Sequence, residues 1–192
     1  VTGRVGVCEG PSGGGASYIL PGIVEANESS VAVLAITTDV SVPSRGKFPL
    51  TQLDQQRLFA PLTKWNKVID TVDEIPHTLR TAFRAMTTGR PGAAHVGLPY
   101  DIQKQVLASP DIWAQSEHAS VPAWRVAPDA AAIQALGAAL SSSRSPVFVC
   151  GGGVVISGAM EALDRVASLL DAPVCTTVSG QGSLAETHPL CA

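Results

Sequence analysis

The chain has 192 residues, of which 45% are hydrophobic and 15% charged, so it can bury a real core and is not globally disordered. Its net charge of −3 and pI near 5.8 do not indicate the excess of positive charge that binding to nucleic acid or to an anionic membrane surface requires. No apolar run approaches the roughly 20 residues that cross a bilayer, which excludes a membrane-spanning helix in this sequence. The four cysteines form no CxxC pair and no zinc-type cluster, which favours reduced thiols in a cytoplasmic protein.

The first elements along the chain predict parallel βαβ units. Short β-branched runs bounded by small-residue turns alternate with helical stretches, which is typical of such units. In chain order they are a strand over Arg4–Cys8, a Gly-rich turn over Gly10–Gly15, a helix over Ala16–Asn27 and a buried strand over Val31–Ile36. Residues 38–54 hold Pro43, Gly46 and Pro49 and predict a long surface loop, a length that is usually functional or mobile.

The next stretch contains the clearest helix of the chain. Ile75, Leu79 and Phe83 fall on one face at helical spacing and predict a helix over Asp73–Thr87. A strand over Trp65–Ile69 precedes this helix and a strand over Ala93–Gly97 follows it.

The second half begins with a change of composition. Residues 104–126 hold prolines and tryptophans with little periodicity and predict an inter-domain linker. The expected elements after it are a helix from Pro128 to Ser142, a strand over Pro146–Cys150, a turn over Gly151–Gly153, a helix over Gly158–Leu170 and a strand over Pro173–Thr177. The predicted fold class is α/β, with parallel sheets, flanking helices and two partial Rossmann-like domains. Since a parallel sheet needs both faces covered, we expect the coding sequence to continue beyond Ala192.

The turn from Gly10 to Gly14 fits the G-x-S-x-G pattern of a nucleophile elbow, between a predicted strand and a predicted helix. A serine hydrolase would use Ser12 as its nucleophile and recruit His77, His95 or His188 as its base. Five-residue patterns with three glycines arise easily in α/β turns, so this interpretation is the weaker alternative.

The triplet Gly151–Gly153 follows a strand and precedes a helix, as a phosphate-binding or dinucleotide-binding turn does. The G-x-G-x-x-G pattern is incomplete, because Ile156 stands at its last glycine. A tight turn that requires small residues explains the triplet at least as well, so both interpretations stay open.

Several motifs in the first half occur in a fixed order. Gly3–Val7 with Pro11–Tyr18 is similar to G-K-P-G-V…T-S-G-P-G-A-T-N, Val31–Thr37 to I-P-V-V-x-I-T, and Leu50–Asp54 to F-Q-E-x-D. Thr63–Asn66 reproduces T-K-x-N, and Gly89–Gly92 with His95–Gln103 is similar to G-R-P-G-P-V-x-L-D-I-P-x-D-V-Q. Pro146–Gly153, Pro173–Gly182 and His188–Leu190 resemble the opening of a central domain. On these motifs the chain is identified as a member of the acetolactate synthase-like family of thiamine-diphosphate-dependent enzymes.

This resemblance implies a domain plan. Residues 1–103 would be part of the pyrimidine-binding (PYR) domain, 104–126 a linker, and 127–192 the N-terminal part of the central domain. The family's catalytic glutamate, which hydrogen-bonds the aminopyrimidine ring, would precede Val1. The domain that holds the diphosphate and Mg²⁺ would follow Ala192. The chain is therefore expected to contain no catalytic residue and no metal ligand, and to be inactive alone.

The resemblance also implies site residues. Cofactor contact is expected from Ser12, Gly13, Gly14, Gly15 and Tyr18, although these residues could serve the turn alone. Thr51 and Gln52 are expected at the substrate channel, and plain loop polarity is the alternative. The sequence departs from the family pattern with Gly14 for Pro, Tyr18 for Asn, and Leu50-Thr-Gln52 for Phe-Gln-Glu, so the reaction is not fixed as that of an acetolactate synthase.

The implied parent is a lyase or transferase, a decarboxylase or carboligase that acts on 2-oxo acids or aldehydes. It would use thiamine diphosphate and Mg²⁺ and work as a homodimer or homotetramer. Flavin (FAD), which some members carry in the central domain, stays open. The alternative from another class is a non-catalytic α/β fragment that mediates dimer contacts or binds a nucleotide loosely.

Overall fold

A computed structural model describes residues 2–108 and 111–192, and the chain divides into two compact units, Val1–Trp124 and Arg125–Ala192. The first unit contains β1 (Gly6–Gly10), α1 (Gly14–Tyr18), α2 (Leu20–Glu28), β2 (Val33–Asp39), α3 (Gln55–Phe59), β3 (Trp65–Val68), α4 (Glu74–Thr87) and β4 (Ala94–Pro99). The second contains α5 (Ala130–Ser142), β5 (Phe148–Cys150), α6 (Gly152–Ser157), α7 (Met160–Leu170) and β6 (Val174–Thr176). Across these two described ranges, no helix is both long enough and apolar enough to cross a membrane.

The first unit is built on a parallel sheet of order β1-β2-β4-β3. Strand β2 pairs with β1 on one side and with β4 on the other, so it lies inside the sheet. Its apolar sequence fits that place, because a strand with neighbours on both edges and helices on both faces has little contact with water. The α/β class with parallel strands is confirmed.

Helices cover both faces of this sheet. Leu34 of β2 packs on one face in a cluster that includes Met86 of α4. Its neighbour Ala35 packs on the opposite face, in a cluster with Ile23 of α2 and Phe59 of α3. Adjacent residues of a strand point to opposite faces, so one apolar strand supplies both cores.

The element bounds differ from the sequence predictions in places with physical causes. The helix predicted over Ala16–Asn27 is two helices, α1 and α2, and Pro21 stands in the first turn of the second, where its missing N–H costs nothing. Helix α3 was not predicted. The Asp54 carboxylate caps its start by accepting a hydrogen bond from the backbone N–H of Arg57.

Much of the predicted linker packs on the first unit. His118 is buried, and its Nδ1 lies 2.6 Å from Thr87 Oγ1. The backbone N–H of Val121 donates to the carbonyl of Gly3 at 2.8 Å. The compact unit accordingly extends to Trp124. Ser109 and Pro110, which also belong to the predicted linker, lie outside the described residues.

The second unit is a two-stranded parallel sheet, β5-β6, with a small core of Cys150, Ala167, Val174 and Leu184. The helix predicted over Gly158–Leu170 is α7. A further helix, α6, precedes it and ends at Gly158 in the left-handed conformation. No residue of α5 is buried, although its sequence is largely apolar.

Candidate functional site

The Gly-rich turn lies at the carboxyl end of β1, the place where open parallel sheets hold their ligands. Gly13 has φ 62° and ψ −123°, a conformation that glycine adopts freely. The N–H of Ala16 donates to the Gly13 carbonyl at 3.0 Å, so α1 begins directly from the turn. At Gly15 a Cβ atom would come within 2.2 Å of Pro11 Cγ, so a side chain cannot fit there. The turn thus needs glycine at both positions for its own geometry.

The structure brings the turn together with the predicted substrate-channel residues. Ser12 Oγ donates a hydrogen bond to Thr51 Oγ1 at 3.0 Å, across 39 residues of sequence. A Cβ atom at Gly13 would lie 3.0 Å from the Cβ of Thr51. The two groups of residues, each expected from the family resemblance, are therefore in direct contact.

A cavity of about 260 Å³ opens between the turn and the loop. Its lining residues are Gly13, Gly14, Ser17, Leu50, Thr51, Gln52 and Leu53. A Cβ atom at Gly14 would have no neighbour within 4 Å, so this backbone faces open space. Of the other expected cofactor residues, Ser12 and Gly15 shape the turn without lining the cavity, and the Tyr18 side chain is 84% exposed.

Gln52 joins this cavity to a second, more polar one of about 240 Å³. The Gln52 Oε1 accepts a hydrogen bond from the backbone N–H of Gly46 at 3.1 Å, so this side chain joins two parts of the loop after β2. Asp39 and Arg45 line the second cavity. Burial raises the pKa of the Asp39 carboxyl group, while the Val40 N–H and the Arg45 guanidinium oppose that rise.

The residues of the serine-hydrolase alternative do not assemble. The Ser12 hydroxyl has Thr51 as its partner. His95 Nε2 is bonded to Thr37, and the exposed His77 contacts Thr81 on its own helix. His188 belongs to the second unit, where it pairs with Asp164 at 3.3 Å. Within the part of the chain that the structure describes, no histidine hydrogen-bonds to Ser12.

Sequence reasoning missed a buried polar network beneath the site. Gln55 Nε2 donates to the Thr38 carbonyl at 2.8 Å, so its Oε1 accepts from the Thr37 hydroxyl. The Thr37 oxygen must then accept from His95 Nε2, which lies 2.7 Å away. The His95 ring stacks on Phe59, and burial lowers its pKa to about 3, so it stays neutral. A histidine inside an apolar strand was the only sequence signal of this network.

Two further sequence motifs, T-K-x-N and G-R-P-G, contact each other through Lys64. Lys64 Nζ donates to the carbonyls of Thr88 and Arg90, at 2.8 and 2.7 Å, which ties T-K-x-N to G-R-P-G. A Cβ atom at Gly92 would come within 2.7 Å of both Asn27 and Lys64. Burial lowers the Lys64 pKa. This lysine therefore holds the turn after α4.

In the second unit, the Gly151–Gly153 triplet lies beside the segment that follows β6. A Cβ atom at Gly180 would fall 2.0 Å from the carbonyl oxygen of Cys150. The N–H of Thr177 donates to that same oxygen at 2.9 Å. Burial and the nearby Cys175 raise the pKa of the Cys150 thiol. Close backbone packing explains Gly180 and also crowds Gly152, where a Cβ atom would lie 3.1 Å from the Ser179 carbonyl oxygen, whereas Gly153 has open space. The nucleotide interpretation of the triplet stays a prediction.

A further cavity, of about 500 Å³, lies elsewhere in the first unit. Its apolar walls come from α4, including Leu79 and Phe83, and from the segment that carries Leu107 and Trp113. None of the expected site residues lines it. In the described ranges, no cluster of three or more histidine, cysteine, aspartate or glutamate residues could hold a metal ion.

Comparison with known protein families finds matches in both halves of the chain. The N-terminal TPP-binding domain model of thiamine pyrophosphate enzymes matches residues 1–58, and the central-domain model of the same enzymes matches residues 133–192. The chain belongs to the thiamine pyrophosphate enzyme family. The matched N-terminal region includes both the Ser12–Gly15 turn and the Thr51–Gln52 pair.

Curated relatives in this thiamine pyrophosphate enzyme family carry acetolactate synthase names. The probable acetolactate synthase large subunit of Methanocaldococcus jannaschii is 40% identical over 98% of this chain and 32% of that protein. The acetolactate synthase large subunit of Corynebacterium glutamicum is 34% identical over 99% of this chain and 30% of its own length. The acetolactate synthase isozyme 1 large subunit of Escherichia coli is 29% identical over 98% of this chain and 32% of its own length. The chain thus spans about a third of the length of these relatives.

Proposed function

We propose that this chain supplies one wall of a thiamine diphosphate site in a lyase or transferase that acts on 2-oxo acids or aldehydes. The observation that carries the proposal is the open backbone of Gly14, beside a cavity at the carboxyl end of β1 and opposite Thr51. In the proposed plan, residues 1–103 belong to the PYR domain, 104–126 to the linker and 127–192 to the central domain.

The turn fits a flat heteroaromatic ring. A ring can approach a backbone closely only where no side chain intervenes, and Gly13 and Gly14 both line the cavity without one. The Ser12–Thr51 hydrogen bond holds the two walls together at 3.0 Å, so the cavity is preformed. Pre-formed clefts with a few placed polar groups are typical of cofactor sites.

Each wall has its own proposed task. When bound, thiamine diphosphate supplies the carbon nucleophile for attack on a carbonyl group. The glycine turn orients the ring, and Thr51 and Gln52 face the substrate side, where their side chains select among 2-oxo acids and aldehydes. A decarboxylase or a carboligase both fit this arrangement. The Mg²⁺ ligands are assigned to none of the described residues.

The surface around the turn fits a second copy of the protein. Tyr18, Phe48 and Leu50 expose 84%, 95% and 100% of their area. Leu50 lines the cavity, and Tyr18 and Phe48 are close in sequence to residues that line it. Large apolar side chains grouped on a surface mark interaction sites. We infer that they contact another subunit in a homodimer or homotetramer, and that the cofactor site is completed there. A cytoplasmic location stays a prediction.

Calorimetric titration tests the proposal directly. A protein of the relatives' length that contains this chain is titrated with thiamine diphosphate in the presence of Mg²⁺, next to the 192-residue chain alone. Binding to the longer protein, followed by turnover of a 2-oxo acid in a substrate panel, is the expected result. A folded longer protein that takes up no thiamine diphosphate would overturn the proposal.

A further inference from the structure

Arg45 connects the loop after β2 to the edge of the sheet. Its guanidinium forms ion pairs with Asp39, at 3.4 Å between Nη2 and Oδ2, and with Asp70. Nη2 also donates to the backbone carbonyl of Ile69 at 3.3 Å. One side chain therefore links the ends of β2 and β3 to the loop.

The pairing is partly shielded from water, so salt screens it less than it screens a fully exposed ion pair. The Asp39 side chain is 7% exposed and that of Arg45 is 30% exposed. Asp39 is itself fixed, because its Oδ1 accepts from the Val40 N–H at 2.8 Å and from Gln55 Nε2 at 3.5 Å. Asp39 is thus a rigid partner for Arg45 at the end of β2.

A continuous set of contacts leads from Arg45 to the candidate site. The next residue, Gly46, donates its N–H to Gln52 Oε1 at 3.1 Å. Gln52 is joined in sequence to Thr51, whose hydroxyl accepts from Ser12 in the glycine turn. The position of Arg45 is therefore transmitted to both substrate-side residues.

The tip of the loop has little other support. The side chains of Phe48 and Leu50 are almost fully exposed. The Gln52 N–H donates to the Pro49 carbonyl at 3.1 Å, which is a contact within the loop itself. Two charged side chains hold this half of the loop among the described contacts. The Asp101 Oδ1 accepts a hydrogen bond from the Val42 N–H at 3.0 Å, and Arg45 supplies the contacts nearer the tip.

We propose that Arg45 is a positioning residue that holds Thr51 and Gln52 in place on the substrate side of the cavity. This inference rests on the proposed function of the cavity. It goes beyond that function because it assigns the control of substrate fit to a residue outside the cavity of the glycine turn. The cofactor wall is left unaffected.

Two readouts test the assignment in a protein of the relatives' length. Chymotrypsin can cleave the Leu50–Thr51 bond when the loop opens, whereas Pro49 protects the bond after Phe48. Arg45→Met should accelerate cleavage after Leu50 roughly tenfold. The KM for the 2-oxo acid should rise about tenfold, while kcat changes by less than about threefold and thiamine diphosphate affinity stays unchanged. A merely structural defect would instead lower kcat, thiamine diphosphate affinity and the thermal midpoint together.

Arg57→Met is the matched control, because the Arg57 side chain is 90% exposed and pairs with its near neighbour Asp54. It should leave cleavage and KM at wild-type values. Asp70→Asn serves if Arg45→Met fails to fold, since it removes one partner of Arg45 at a side chain that is 58% exposed. It should raise cleavage and KM in the same direction by a smaller factor.

The outcomes separate this inference from the proposed function. Unchanged cleavage and unchanged KM in Arg45→Met and Asp70→Asn, in a protein that binds thiamine diphosphate, would overturn the role of Arg45 alone. A wild-type protein that binds no thiamine diphosphate would overturn the proposed function and the substrate-side role with it.

Discussion

The backbone of Gly13 lies directly against Thr51: a Cβ atom at Gly13 would be 3.0 Å from the Thr51 Cβ and 3.1 Å from its carbonyl oxygen. This contact joins a turn at the end of β1 to a loop that follows β2. It explains how the turn and the loop enclose one cavity. The hydrogen bond between Ser12 and Thr51, which are 39 positions apart, lies beside it. Substitutions at the contact itself should therefore disturb both walls.

Gly13→Ala should destabilise the first unit by about 1–3 kcal/mol, because alanine is strained at this backbone conformation and its methyl group meets Thr51. Urea unfolding followed by tryptophan fluorescence measures this, since Trp65, Trp113 and Trp124 all belong to the first unit. Wild-type stability in this variant would mean that the turn and the loop are not in contact.

Gly14→Pro is the matched control and should stabilise the same unit by about 0.4–1 kcal/mol. Gly14 is the first residue of α1, a position that favours proline, and a Cβ atom there meets nothing within 4 Å. The substitution also restores the residue of the family pattern. Equal losses of stability from Gly13→Ala and Gly14→Pro would contradict the geometry of the turn.

His95 should make the stability of the first unit depend on pH. Burial lowers the pKa of this histidine from 6.5 to about 3. Between these two values the unfolded chain binds a proton that the folded chain does not, so stability decreases as the pH falls through this window, by up to ~1.4 kcal/mol per pH unit. His95→Phe keeps a ring against Phe59 and should remove this share of the slope. Parallel pH profiles for the two proteins would exclude a neutral, buried His95.

Leu50→Asp should weaken self-association of the longer protein by roughly tenfold or more, because it places a charge in the proposed subunit contact. Sedimentation equilibrium measures the change in the dissociation constant. Leu169→Asp is the control, since Leu169 is 82% exposed on α7 in the second unit. The interface proposal fails if both substitutions leave the oligomer intact, or if they weaken it equally.

Gly180→Ala should destabilise the second unit by about 1–3 kcal/mol, because its methyl group would overlap the backbone of Cys150. Gly153→Ala should have no such cost, since its Cβ atom has open space within helix α6. Hydrogen exchange at the amides of β5 and β6 follows this unit separately. Equal protection in the two variants would contradict the close packing of the β5 end on Gly180.

The regular elements could be predicted because their sequence patterns are local. Helix α4 shows its amphipathic period, and the apolar run of β2 is bounded by turns. Helix α3 escaped prediction because polar residues begin it, and its buried Gln55 is stabilised by hydrogen bonds to Thr37 and Thr38. Helix α6 escaped because its glycine-rich start resembles a turn.

The sequence predicted the residues of the candidate site but not the contacts between them. The turn and the Thr51–Gln52 pair were both expected from the family resemblance. The hydrogen bond between Ser12 and Thr51, and that between Thr37 and His95, join residues 39 and 58 positions apart. Such pairs depend on how the strands are ordered in the sheet, which local periodicity does not encode.

Hydrogen–deuterium exchange on a protein of the relatives' length, with and without thiamine diphosphate and Mg²⁺, tests most directly whether the Ser12–Gly15 turn contacts the cofactor ring. We expect exchange to slow at the backbone amides from Gly13 to Tyr18 and around Thr51 when the cofactor binds, with α7 in the second unit unchanged. Saturating cofactor, verified by calorimetry, with no change in exchange at the turn would contradict this account.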